Sequence, residues 1–169
     1  MLAQLDTKTV YTFMDSMVTI EEYVKRAKNL GYQTIGIMDI HSLYAAYGFL
    51  EACQKEGLRS IIGCELDWKY NNGQSEILTK LIALSTKGYQ NLMKISTAKM
   101  TGQDDFDSIR QFLQDIAVIV PFKDGVDKLD LGVDYYIGIY SDTPVQSFDH
   151  PVLPLHTVRY FQENQLESL

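Results

Sequence analysis

At 169 residues, 46% of them hydrophobic, the chain is the size of a single domain and can bury one core. No run nears the roughly 18 apolar residues of a membrane span, and the N-terminus lacks a basic segment followed by an apolar core and cleavage site, so a soluble cytoplasmic protein is expected. Fifteen Lys and Arg stand against 22 Asp and Glu, a formal charge of −7, which argues against the clustered basic groups that hold a phosphate backbone.

The chain opens on a strand and turn over residues 4–16. Thr19-Ile20-Glu21-Glu22 has the Thr-x-x-Glu form of a capping box, in which each side chain satisfies the other residue's free backbone N–H, so a helix is expected over 20–30. Ile20, Tyr23, Val24, Ala27 and Leu30 give it one apolar face, and Gly31 suits the left-handed residue that closes a helix. Lys25, Arg26 and Lys28 read as its solvated side. Residues 34–38 form a short apolar strand. Leu43, Ala46, Tyr47, Leu50 and Cys53 form a second helical stripe, closed near Gly57. Residues 60–66 read as a strand buried on both faces.

Asn71-Asn72-Gly73 carries the signal for a tight hairpin turn, which pairs a strand through Trp68 and Tyr70 antiparallel with residues 77–85. Tyr89, Leu92, Met93 and Ser96 predict a third helix, and Phe106, Ile109, Phe112 and Leu113 a fourth. A buried strand over 117–120 stops at Pro121, and residues 135–140 and 152–155 supply later strands. Tyr135, Tyr136 and Tyr140 read as sheet core or rim, since no basic residues accompany them as base-stacking would require. Residues 161–169 begin an amphipathic helix. Cys53 and Cys64 have no CxxC spacing and are expected to be reduced.

Strand-helix alternation predicts an α/β fold with parallel strands covered by helices, and a barrel or an open sheet satisfies it equally. In either, chemistry collects at the carboxyl ends of strands, where Asp6, Asp39 and Glu65 are expected to fall. There is no GxSxG elbow, P-loop, HExxH or dinucleotide fingerprint.

Several segments together resemble a known family. Residues 9–16, Thr-Val-Tyr-Thr-Phe-Met-Asp-Ser, are similar to its Thr-x-Tyr-Ser-x-x-Asp-Gly segment, and residues 24–31 to its first helix. Ile61-Ile62-Gly63-Cys64-Glu65 matches Ile-Ile-Gly-x-Glu, residues 81–85 match Leu-x-Leu-Leu-Ala, and residues 88–96 match Gly-Tyr-x-Asn-Leu-x-x-Leu-Ser. The family is the N-terminal PHP domain (polymerase and histidinol phosphatase) of the bacterial DNA polymerase III alpha subunit, of the Gram-positive type. The resemblance spans nearly all of residues 1–169 and implies one PHP domain with a distorted, seven-stranded, incomplete (β/α) barrel and a hairpin near 66–85.

The departures fall where active family members bind metals. The His-x-His position holds Asp6 and Lys8, the Asp-His pair is Asp39-Ile40, and the late Asp-x-His is Thr157-Val158-Arg159. Lys80 stands where the family can carry His. Only Asp39 and Glu65 match ligands in type, with Asp6 as a third candidate. His41 falls one residue past the ligand position, and His150 and His156 read as loop residues. A protonated Lys or Arg donates no lone pair to a metal.

The resemblance therefore implies a vestigial cleft of Asp6, Lys8, Asp39, Glu65, Lys80, Thr157 and Arg159, with no catalytic residue, bound metal or cofactor. Lys8 and Arg159 are expected to neutralise Asp39 and Glu65 in an ion-pair network. The implied role is a structural or docking module in DNA replication, beside a polymerase core whose own magnesium lies in a palm domain outside this sequence. Implied partners are the rest of the alpha chain and, through it, the sliding clamp, a proofreading subunit and primer-template DNA, which these 169 residues alone hold weakly or not at all. The alternatives are a residual metal-dependent 3′-5′ exonuclease or phosphoesterase, and a free-standing phosphatase of histidinol phosphatase type.

Overall fold

The computed structural model of the chain describes residues 3–70, 75–123, 125–144 and 146–161. The Asn71-Asn72-Gly73 turn and most of the C-terminal amphipathic segment lie outside the described residues. The chain divides into two compact units, one of Met1–Cys64 with His156–Leu169, the other of Glu65–Leu155.

The first unit holds β1 (Ala3–Gln4), β2 (Asp6–Thr7), β3 (Thr34–Ile40), the beginning of β4 (Arg59–Tyr70) and, from the end of the chain, β9 (Thr157–Val158). β1 pairs parallel with β3, and β2 pairs parallel with β9, with Asp6 opposite Thr157. Helix α1 (Ile20–Asn29) starts as expected, with the Thr19 hydroxyl accepting from the Glu22 amide, and Gly31 follows its end at φ 81°. Tyr23, Val24 and Ala27 are buried, but Leu30 is 61% exposed. Leu30 is the cap residue, and there the helical stripe has already turned away from the core.

Helix α2 (Ala46–Glu56) closes on left-handed Gly57, as its sequence predicts. Its buried line is Ala46, Phe49 and Cys53, with Tyr47 72% exposed, so the expected stripe is displaced by a residue toward Phe49. The Phe49 ring stacks on Tyr23 of α1 with centroids 6.0 Å apart, and the Tyr23 hydroxyl donates to the Gly36 carbonyl of β3. Both cysteines are free and buried, and burial pushes the Cys53 thiol up to about 12, so it is an inert thiol.

The second unit holds the rest of β4, then β5 (Ser75–Ala83), β6 (Ile116–Pro121), β7 (Tyr136–Ile139) and β8 (Val152–Pro154). The hydrogen-bonded order is β1-β3-β4-β5-β6-β7-β8, a seven-stranded sheet with β4 common to both units. It is a mixed sheet. β6, β7 and β8 run parallel, whereas β5 and β6 are antiparallel. β4 and β5 are neighbours joined by only four residues, too few for a crossover, which agrees with the hairpin expected there.

Helix α3 (Thr86–Met100) buries Leu92, Ile95 and Ala98, while α4 is one turn (Phe106–Ile109) continued by a 3-10 turn over Arg110–Phe112. Trp68, Leu81, Leu92, Phe106 and Ile137 are among the core side chains. The Trp68 indole donates to the Thr79 hydroxyl, which donates to the Leu66 carbonyl, so the polar edge of the ring is satisfied. Tyr135 is core, its hydroxyl donating to the Val126 carbonyl, and Tyr136 is 43% exposed at the rim.

One glycine is required by packing. A Cβ on Gly88 would lie 2.1 Å from the Asp115 carbonyl oxygen, which also accepts from the Leu84 amide. Gly88→Ala is expected to destabilise the chain by about 1–3 kcal/mol by forcing α3 away from that carbonyl, as read by chemical denaturation. Unchanged stability would show that the first turn of α3 moves freely.

Candidate functional site

The carboxylates expected at strand ends are placed differently from one another. Asp39 is the penultimate residue of β3, as expected. Asp6 opens the two-residue β2, and Glu65 lies in mid-strand, because β4 continues through Tyr70. Glu65 belongs to the second unit and Asp6 and Asp39 to the first.

Lys8 follows β2 and is fully buried. Its ammonium donates to Asp6 Oδ1 at 3.2 Å and to the Met38 carbonyl of β3 at 2.5 Å. The other oxygen of Asp6 accepts from the Thr157 hydroxyl of β9 at 2.5 Å. Thr157 thus enters the cluster as a hydroxyl donor to a carboxylate.

Asp39 is buried, with both carboxylate oxygens engaged by neutral donors. Oδ1 accepts from the Thr9 amide at 2.6 Å and the Thr12 hydroxyl at 2.7 Å, and Oδ2 from the Thr9 hydroxyl at 2.8 Å. The Thr12 hydroxyl in turn accepts from the Ile40 amide. Ser16 closes the same turn, its hydroxyl lying within hydrogen-bonding distance of the Lys8 and Arg159 carbonyls and accepting from the Val18 amide. Asp39 therefore folds residues 9–16 back over the end of β3.

In the second unit, Lys80 of β5 makes an ion pair with Glu65 of β4, both side chains at least nine-tenths buried. Each sits in a strand neighbouring the other's, so the pair is a cross-strand contact. Arg159 bonds Asp15 at 2.5 Å with its side chain 42% exposed.

Lys8 thus bonds Asp6, Lys80 bonds Glu65, Arg159 bonds Asp15, and Asp39 bonds Thr9 and Thr12. These contacts follow from reach and register. Asp6 is two residues from Lys8, Lys80 lies in the strand beside Glu65, and the Thr9–Thr12 turn places three donors on Asp39. Sequence reasoning missed Asp15, Thr9, Thr12 and the Met38 carbonyl. The three side chains lay in the segment matched to the family, but a hydroxyl that bonds an internal carboxylate has no distinguishing spacing.

Of the three histidines, His41 is exposed just past β3 at φ 55°. His150 stacks on Tyr135 with centroids 4.0 Å apart, and the carbonyl of exposed His156 accepts from the Gln4 side chain.

This donor set does not fit a divalent-metal cluster. Protonated Lys8 and Lys80 offer no lone pair, Asp39 spends both oxygens on hydroxyl and amide donors, and among the described residues no three His, Cys, Asp or Glu side chains are grouped as a metal would need. Also among them, no helix is long and apolar enough to cross a membrane.

Comparison with known proteins gives this geometry a context. DNA polymerase III subunit alpha of Streptococcus pyogenes serotype M3 is 48% identical over 171 aligned positions, covering 100% of this chain and 16% of the relative. The protein of the same name from Aquifex aeolicus is 36% identical over 107 positions, covering 55% of this chain and 9% of its own length. An amidohydrolase structure from Chromobacterium violaceum superposes with a TM-score of 0.43 at 14% identity, covering 59% of this chain and 34% of that one. The chain spans about a sixth of the length of its Streptococcus relatives, 16%. Residues 4–150 match the model of the PHP domain, most of the chain's length, and this chain belongs to the PHP domain family.

Proposed function

We propose that this chain is the N-terminal PHP domain of a bacterial replicative DNA polymerase III alpha subunit, serving DNA replication as a structural and docking module without phosphoesterase activity of its own. The observation that carries the replication reading is the 48% identity to a polymerase III alpha subunit over the whole chain. The loss of hydrolytic function is supported by Lys8 and Lys80, whose ammonium groups sit on carboxylates where active family members, by resemblance, hold metal-binding histidines.

In this reading nucleotide transfer and its magnesium belong to a palm domain elsewhere in the subunit. The partners are the rest of that polypeptide and, through it, clamp, proofreading subunit and primer-template. The net charge of −7 gives the domain little hold on DNA by itself, and its compartment is the cytoplasm.

The test is elemental mass spectrometry of the purified, untagged chain with an assay of metal-dependent hydrolysis at a primer 3′ end and on small phosphomonoesters. The expected result is only trace Zn, Mn or Fe and no chelator-sensitive hydrolysis. Stoichiometric metal with hydrolysis of a DNA 3′ end would replace this reading with a residual exonuclease, and hydrolysis of small phosphomonoesters with a phosphatase.

A further inference from the structure

We infer that Lys8 is a tethered cation that clamps three strands of the first unit, doing for this fold the charge-neutralising work that a bound metal does in a metal-dependent one. The ammonium is fully buried and bonds two elements directly, Asp6 of β2 and the backbone carbonyl of Met38 in β3. Through Asp6 it reaches a third, because the second oxygen of that carboxylate takes the Thr157 hydroxyl of β9.

These strands need such a tie. β2 and β9 are two residues each, and their ladder consists of the two pairs Asp6–Thr157 and Thr7–Val158. A two-stranded ribbon that short is marginal without side-chain support. It gains more from the Lys8 amide, which donates to the Val158 carbonyl, so the residue joins β9 through its backbone as well as its side chain.

An ammonium suits this seat better than a divalent ion. Its N–H donors reach separate oxygens, Asp6 Oδ1 and the Met38 carbonyl, and it brings one positive charge to a carboxylate. A divalent cation would need further anionic ligands to balance its charge in a site closed to water. The cation is also covalently part of the chain, so the cluster assembles as the chain folds and is insensitive to metal supply.

This inference deepens the metal-free reading above but is tested separately from it. On the 169-residue chain, Lys8→Met, Asp6→Asn and the double variant form a thermal-unfolding cycle, with each melting temperature taken with and without chelator. Lys8→Met is expected to lower Tm by roughly 6–20 °C by taking the ammonium donor from the buried carboxylate. The double variant should melt well above Lys8→Met, and chelator should move none of the values.

Penalties that simply add would overturn the clamp, and a chelator-induced drop in the wild-type Tm would overturn the metal-free role assigned to Lys8. Should Lys8→Met fail to fold, the wild-type chain carries the test through 15N NMR of the lysine side chains. A slowly exchanging Lys8 ammonium resonance, assigned by its loss in Lys8→Arg, supports the clamp. A neutral amine, or exchange as fast as that of surface lysines, overturns it.

Discussion

Lys80→Met is expected to lower the unfolding free energy by about 3–5 kcal/mol, the loss that follows when one partner of a buried ion pair is removed and the other charge is left in place. Methionine keeps most of the lysine volume, so the effect is electrostatic rather than a cavity. The partner left in place is Glu65, only 7% exposed in the middle of β4. Glu65→Gln in the same chain removes that charge, and the Lys80→Met, Glu65→Gln double variant should be more stable than Lys80→Met alone by well over 1 kcal/mol. The check is a urea-denaturation cycle over the four chains. Additive losses would mean that the two groups are not coupled.

Asp39→Ala is expected to cost about 3 kcal/mol by a different route. No cation is stranded. Instead a backbone amide and two hydroxyls lose their acceptor while Thr9 and Thr12 stay buried, and each unsatisfied buried donor costs about 1–3 kcal/mol, reduced where a hydroxyl can turn to another acceptor. The loss should be local as well as global. Amide hydrogen exchange should accelerate first at residues 9–16, the turn that Asp39 holds and in which Met14 sits at φ 57°, while β5 and β6 keep their protection. Asp39→Asn should fall between wild type and alanine, since it keeps one oxygen acceptor. Chelator should leave all three proteins unchanged, whereas an Asp39 working as a metal ligand would make the wild-type value fall to that of the variant.

Glu65 and Asp39 stand, by resemblance, at ligand positions, and in both predictions their work is structural. Glu65 neutralises a lysine across a sheet, while Asp39 organises a turn. The turn presents Phe13, 87% exposed, and Met14, 72% exposed, to solvent, so its rigidity determines how that apolar surface is displayed.

Much of the local chemistry was legible in the sequence. The Thr19 cap, the left-handed Gly31 and Gly57, the buried strand about residues 34–38 and the Thr86–Met100 helix follow from periodicity and capping, which act over a few residues and need no knowledge of the rest of the chain. The family too was legible, because strings such as Ile61-Ile62-Gly63-Cys64-Glu65 survive although the histidines around them do not. Lys8, Lys80 and Arg159 could be read as cations that cannot ligate a metal, since that is a property of the side chain alone.

Which carboxylate each cation meets was decided only by tertiary structure. Pairing depends on strand register and on which group arrives within about 3 Å, the range of a hydrogen bond, and these are set by contacts between residues distant in the chain. Asp6 and Thr157 meet because β2 and β9 pair across 151 positions, and Lys80 meets Glu65 because β5 lies beside β4. The threonine cage of Asp39 was hidden for the same reason, as a hydroxyl becomes a specific donor only when the fold closes water out and leaves one acceptor within reach.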